Sequence, residues 1–302
     1  MNAIDVQETT KSPAQLQVML ANIEDLPTIP EILFRILKVL DDPDSGAHDL
    51  SAVVRLDAPL TAKILRLANS PYYAGTGDVT DIQRCVAVLG YRTVRQVAIC
   101  VSVATSVVQA AAKAGGKLDY RELWRHSVVT GAVAKHLAEL VAYPDPEEIF
   151  TAGLLHDLGK FVFEIHTPRS YGQVIRNSRD EKISLCRAET NTYGFDHATL
   201  GEAFGRFWNF PERLIRCIGH HHDQPVCPAE PAQSDAALAL VALADYLANT
   251  FDPPRSDLGQ EIQPTDPAGL YAAAGVTEET VEENLGAIAE SMVNSSVYLD
   301  LS

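Results

Sequence analysis

Eight of the nine histidines in this 302-residue chain lie between positions 126 and 222: His126, His136, His156, His166, His197, His220, His221 and His222. Several come with a carboxylate at a telling spacing. Glu122 precedes His126 by four residues, so the two share a helix face. His156 and Asp157 are adjacent within "AGLLHDLGKF", a run otherwise suited to burial. Asp196-His197 opens "FDHATLG", and His221-His222 closes "IRCIGHHH". Asp245 sits inside "LALVALADYLAN", which is apolar on nearly every side. A buried, unpaired charge is costly, so such groups neutralise, pair or bind metal. Neutral imidazole and carboxylate oxygen, with no soft sulfur ligand, suit Fe, Mn, Zn, Co or Ni. Taken singly, each residue also has a structural account: a satisfied core histidine, a helix cap at Asp196, a bonded buried carboxylate at Asp245. Taken together, helices that each bring a His or a carboxylate to a buried face are how helical bundles build metal sites. Lys160, three residues after Asp157, is placed to neutralise a phosphate, to bond Asp157, or to snorkel to the surface.

The elements that must position these groups read as helices almost throughout, with no convincing period-2 run. In "LPTIPEILFRILKVL", Thr28 and Glu31 have capping-box spacing, Pro30 falls in the first turn, and Leu33, Ile36, Leu37 and Leu40 form a stripe. A second helix starts near Asp49. Asp57 caps a third, with Pro59 in its first turn and Leu60, Ile64 and Leu67 on one face, ending at Asn69-Ser70-Pro71. Residues 81–108 read as two helices broken at Gly90. "AAAKAGGKLDY" is a small-residue break. Helices follow over 121–141 and 147–165, a less regular stretch over about 166–190, and helices again over 197–208, 211–222 and 235–251. A Pro-rich connector leads to two last helices near 267–274 and 277–292. The expected fold is all-α, an N-terminal helical subdomain packed on a C-terminal helical bundle. The expected divisions are an extension over 1–20, a helical half over 21–115, the site bundle over 116–251 and an acidic helical extension over 252–302.

Composition excludes several classes. The net charge of −16 repels phosphate backbones and anionic lipid, which argues against a nucleic-acid partner. A helix-turn-helix within 78–108 is possible in outline, but that stretch is near neutral. Residues 251–302 carry ten acidic residues and one Arg, a solvated acidic face or a partner-docking tail. The start has no signal-peptide pattern, and no run approaches the length of a membrane span. Five cysteines, with no CxxC pair, fit reduced thiols in a cytoplasmic protein.

The motifs resemble the HDOD family, the HD-related output domains of bacterial signalling, within the HD superfamily of metal-dependent phosphohydrolases. In the first half the resemblance rests on "LPTIPEI", "LDAPLTAKILRLANSPYY" and "IQRCVAVLGYRTVRQVAI". In the second it rests on "LWRHSVVTGAVAKHLA", "AGLLHDLGKFVF", "FDHATLGEAFGRFWNFP", "IGHHHDQP" and "ALADYLAN". It covers roughly residues 20–250 and implies an HD-type helical bundle in the C-terminal half. By matching motifs, His126, His156, Asp157 and Asp245 form the basic metal set, with Asp157 able to bridge two ions. Glu122, His197, His221 and His222 fall where the two-metal HD-GYP relatives place further ligands. His220 turns the His pair into a triple, so the register of those ligands is open by one. The implied cofactor is a divalent transition metal, mononuclear or dinuclear, with Fe or Mn ahead of Zn, Ni and Co. Water on such a metal becomes a nucleophile near neutral pH, with Asp157 and Lys160 as candidate catalytic residues. "DQPVCPAEP" follows His222 where the cyclic-dinucleotide phosphodiesterases carry Gly-Tyr-Pro. Two functions are implied: a regulatory protein that works by binding signalling partners, or a phosphohydrolase acting on a nucleotide or cyclic nucleotide.

Overall fold

The computed structural model describes residues 31–42, 44–69, 79–223, 235–259, 267–295 and 299. Among them every regular element is a helix, as the periodicity predicts. Thr28, Pro30, Ser70, Pro71, Cys227, the side chains of Glu31, Leu33, Leu37 and Leu40, and the extension over 1–20 lie outside the described residues.

The N-terminal helices are α1 (Glu31–Asp41), α2 (Ala47–Val54), α3 (Ala58–Ala68), α4 (Ile82–Leu89) and α5 (Tyr91–Val103). Their starts follow local chemistry. Asp57 accepts the Leu60 N–H at the head of α3, and Asp81 accepts the Arg84 N–H at the head of α4. Gly90, at φ +84°, turns the chain sharply between α4 and α5. Ile36, Leu50, Leu60, Ile64, Ile82 and Val94 close a common core.

Helix α5 continues through a π-helical stretch (Ala104–Val108) into α6 (Gln109–Ala114). This rod, Tyr91–Ala114, is long and apolar enough to cross a membrane, but 67% of its most apolar window is buried inside the protein. It is a core helix. Residues 96–104 are all buried, so most of α5 is core, and Arg92 is its one exposed basic residue, little for a DNA groove to meet.

The second set is α7 (Tyr120–Leu140), α8 (Pro146–Leu155), α9 (Leu158–His166), α10 (Pro168–Glu181), α11 (Leu185–Tyr193), α12 (His197–Phe207), α13 (Glu212–His220) and α14 (Ala236–Phe251). The chain ends in α15 (Ala268–Ala274), α16 (Glu278–Glu283) and α17 (Leu285–Asn294). Two expectations change here. The stretch over 166–190 is two helices, not irregular; α10 is polar overall, and of its five buried positions only Tyr171, Val174 and Ile175 carry large side chains. The single helix expected over 147–165 is two, broken at His156 and Asp157.

In the bundle α7 packs on α8 and α14, α9 on α12, and α12 on α13. Two contacts bring main chains together without side chains between them. A Cβ on Gly153 would lie 2.9 Å from the Cα of Gly131, which lets α7 and α8 cross closely. A Cβ on Gly159 would lie 1.9 Å from the carbonyl oxygen of His197, so only glycine lets α9 meet the start of α12. The N-terminal helices lean on the back of this bundle through α5 against α8 and α6 against α9.

Candidate metal centre

Adjacent residues in a continuous helix point about 100° apart, so His156 and Asp157 could not both face one site within it. The break between α8 and α9 removes that limit. His156 keeps helical angles, while Asp157, at φ −94° and ψ 16°, takes the bridge conformation common at functional sites. Both side chains are 1% exposed and turn into the same buried cluster.

Asp157 sits at the centre, and its two oxygens face different neighbours. Oδ2 lies 3.4 Å from His156 Nε2, 3.9 Å from His126 Nε2 and 2.9 Å from Lys160 Nζ. Asp245 Oδ1 completes this first nest, 3.0 Å from His126 Nε2 and 3.7 Å from His156 Nε2. Asn249 Nδ2 donates to the same Asp245 oxygen at 2.8 Å. Oδ1 of Asp157 faces a second nest, 3.4 Å from His197 Nε2 and 3.6 Å from His221 Nε2. His222 Nε2 lies 2.9 Å from His197 Nε2.

These spacings fit a metal. Ligand atoms about 2.1 Å from an ion stand about 3.0–3.4 Å from one another in octahedral or tetrahedral geometry. The ring orientations fit too. A carbonyl only accepts, so His156 Nδ1 donates to Gly153 O at 2.7 Å, and His221 Nδ1 donates to Ile218 O at 2.9 Å. His197 Nδ1 lies 2.7 Å from Glu189 Oε2. In all three rings Nε2 is left facing inward, the arrangement that outer hydrogen bonds impose on metal-ligating histidine. Asp157 Oδ1 and His221 Nε2 are buried and find no hydrogen-bond partner among the described residues. A cation placed between them would satisfy a buried carboxylate oxygen and imidazole nitrogen left in this way.

The groups polarise one another strongly. Burial opposes charge on His156, but Asp157 and Asp245 outweigh it and raise its pKa to about 10. Burial likewise disfavours ionised Asp157, yet His156 and Lys160 hold it well below the usual carboxylate range. Asp245 is held low by His126 and His156 against the same burial. Burial opposes charge on His197, whose pKa is nonetheless raised, chiefly by Glu189. His221, buried beside charged His156, is pushed down.

The cluster therefore gathers His126, His156, Asp157, His197, His221, His222 and Asp245, and sets the register of the histidine triple. His220 faces out, 43% exposed, with Nδ1 2.7 Å from Asp223 Oδ2. Lys160 is neither a surface snorkel nor loose in a cleft; it is 2% exposed and bonds Asp157. Asp196 caps α12 through the Thr199 N–H at 2.9 Å. Glu122 does not join the cluster. Its Oε1 accepts from Arg125 Nε at 2.8 Å and from the Arg255 N–H at 2.9 Å, so sharing a helix face with His126 leaves it one turn too far along α7. Glu189 has no place in the sequence reading. It is fully buried and accepts both from the His197 N–H at 2.8 Å and, through Oε1, from the Tyr171 hydroxyl at 2.7 Å.

Beside the first nest lies a cavity of about 250 Å³, lined by His126, Lys160, Asn249, Pro254 and the residues from Ser256 to Gly259.

The HDOD domain model matches residues 26–224. Asp245 falls beyond that match. A relative, an uncharacterised protein of Treponema pallidum (strain Nichols), is 29% identical over 246 residues, 80% of this chain and 46% of its own length. The chain thus spans about half the length of this curated relative. Among solved structures, an HDOD domain protein of unknown function from Geobacter sulfurreducens aligns at a TM-score of 0.76 with 26% identity, covering 94% of this chain and 97% of that one. A candidate signal transduction protein from Marinobacter aquaeolei VT8 aligns at 0.77 with 20% identity, covering 99% of this chain and 67% of that one, a likeness of fold. Helical architecture, the buried His/Asp cluster and a family match over most of the chain converge, and the chain belongs to the HDOD family.

Proposed function

We propose that this protein is a bacterial signalling module that acts through partner proteins and is built around a divalent transition-metal centre. The observation that carries the centre is Asp157, whose two buried oxygens each face a separate group of imidazoles. His126, His156, Asp157 and Asp245 would hold one ion, and Asp157, His197, His221 and His222 a second. Such an ion supplies Lewis acidity and a nucleophile from water at neutral pH. Fe or Mn suits this nitrogen and oxygen set, and Zn, Ni or Co are the alternatives.

The regulatory reading draws support from the surroundings of the site. Among the described residues the one lysine lining the cavity is bonded to Asp157, and Asp257 lines it too, so a polyanion meets little net positive charge. The N-terminal helices supply no residue to the His/Asp cluster. The acidic surface of α16, with Glu278, Glu279, Glu282 and Glu283, suits a basic partner. Cys85, Cys100, Cys186 and Cys217 form no disulfide among the described residues, in keeping with a cytoplasmic location.

Elemental analysis of protein never exposed to chelator tests the centre. The expected result is near-stoichiometric or higher transition metal in the parent and at least roughly tenfold less in Asp157→Ala. A parent without transition metal overturns it. A second reading, hydrolysis of a nucleotide or cyclic nucleotide, is favoured by one observation: His126 and Lys160 border a cavity that reaches the first nest. Turnover of phosphodiesters by Mn-loaded protein, abolished in Asp157→Ala, would select it.

A further inference from the structure

Beyond α14 the chain folds back across the His126–Lys160 cavity instead of leaving the bundle. Residues 252–259 form no helix, with bends at 252, 255 and 256, and their exposure alternates. Asp252, Pro254, Ser256 and Leu258 are the less exposed set, and Pro253, Arg255 and Asp257 the more exposed one. Pro253-Pro254 restricts the backbone near its start. The segment is tied at both ends. Arg125, the residue before His126, bonds the Asp252 carboxylate and reaches the carbonyls of Asp252 and Pro253 at 3.4 Å each. Glu122 holds Arg125 from one side and the Arg255 N–H from the other. At the far end Arg179 of α10 pairs with Asp257 at 2.9 Å, Leu258 is 5% exposed, and Gly259 packs on Leu185 so closely that a Cβ would lie 2.8 Å from its side chain. Ser256 lines the cavity, and its Oγ is buried without a hydrogen-bond partner among the described residues.

We propose that residues 252–259 form a latched strap that sets what reaches the metal centre, with Glu122 and Arg125 as the positioning residues of its latch. This rests on the metal-centre reading above. With the strap latched, the cavity of about 250 Å³ falls below the roughly 300–1,000 Å³ of pockets for drug-sized ligands. It has room for a phosphoryl-sized anion, with the buried Ser256 Oγ as a donor, and is too small to enclose a whole nucleotide. Parting Asp252 from Arg125 frees the near end of the strap and opens the centre to a larger phosphoester. The carboxylate that the sequence places among the ligands thus governs access to them.

The test uses the full chain and two readouts. Trypsin cleavage after Arg255 reports the strap, and the rate at which EDTA strips bound Mn²⁺ reports access to the centre. Asp252→Ala is the first variant, because Asp252 is 31% exposed and its loss leaves the helices packed. Arg125→Met is the second. Loss of a charge-assisted hydrogen bond should speed both processes on the order of tenfold, with the thermal midpoint of Asp252→Ala near that of the parent. Both rates within about twofold of the parent overturn the latch. Faster cleavage with unchanged metal release overturns the gating. A parent that holds no Mn²⁺ sinks the metal-centre reading and the gating with it, while the trypsin readout still decides whether the strap is latched.

Discussion

Lys160→Met is the sharpest probe of how the centre is balanced. Lys160 Nζ and Asp157 Oδ2 are 2.9 Å apart, and the two side chains are 3% and 1% exposed. At that distance the Coulomb attraction is about 6 kcal/mol for an effective dielectric of about 20, an upper bound on what the pair contributes. Methionine fills the same volume without charge. Asp157 keeps His156, which stays protonated at pH 7 with its pKa of about 10. The net cost then falls at the low end for breaking a buried pair, about 3 kcal/mol. For a chain of this size that lowers the thermal midpoint by about 6–12 °C, measured by calorimetry at pH 7 in the presence of chelator. Added Mn²⁺ offers Asp157 a replacement cation and should recover at least about half of the deficit. A midpoint within about 2 °C of the parent in chelator, or a deficit that Mn²⁺ leaves untouched, would refute the argument.

His222→Ala should lower bound metal to about half by removing a ligand from the second nest alone, while His220→Ala leaves it unchanged; equal losses in elemental analysis would contradict the inward and outward placement of the two rings. Glu189→Gln removes the carboxylate that orients His197 and should weaken metal affinity about 10–100-fold in a competition titration, an effect absent if Glu189 only packs. Glu164, 1% exposed and set against Gly116, has its pKa raised by burial to about 7, above the ordinary 4.5. A raised carboxyl favours folding most below pH about 4, and that stability is lost as pH climbs through 7. Urea titrations of Glu164→Gln should therefore show about 2 kcal/mol less decline than the parent between pH 5 and 8, and parallel profiles would rule this out.

Much of the arrangement is legible in the order of residues. Apolar contrast around Asp157 and Asp245 marks carboxylates that must be compensated, and caps such as Asp57 and Asp196 announce helix starts that the structure keeps. The break at His156 is invisible because its flanks, "AGLL" and "LGKF", continue one apolar run and no proline intervenes. The register of His220 to His222 depends on where α13 ends, which packing of the bundle sets. Glu122 misleads because helical spacing places it on the face of His126 but says nothing of Arg255, whose N–H arrives from 133 residues later. Glu189 lies in polar "RAETNTYG", without apolar contrast to single it out, and gains its role only when α11 is folded beside α12.

The contact between Gly159 and the carbonyl of His197 makes the backbone itself the ruler of the centre. Asp157 stands two residues before that glycine, and His197 carries the carbonyl, so the interval between the two nests is fixed by main chain touching main chain. Paired ions work at about 3.5–4 Å from each other. A single methyl group at position 159 would drive α12 away by on the order of an ångström while every ligand side chain remained in the sequence. On the two-nest reading, the number of ions held would then depend on a residue that binds no metal. On that reading, two HDOD proteins with identical ligand sets would differ in metal count wherever the residue opposite this carbonyl differs.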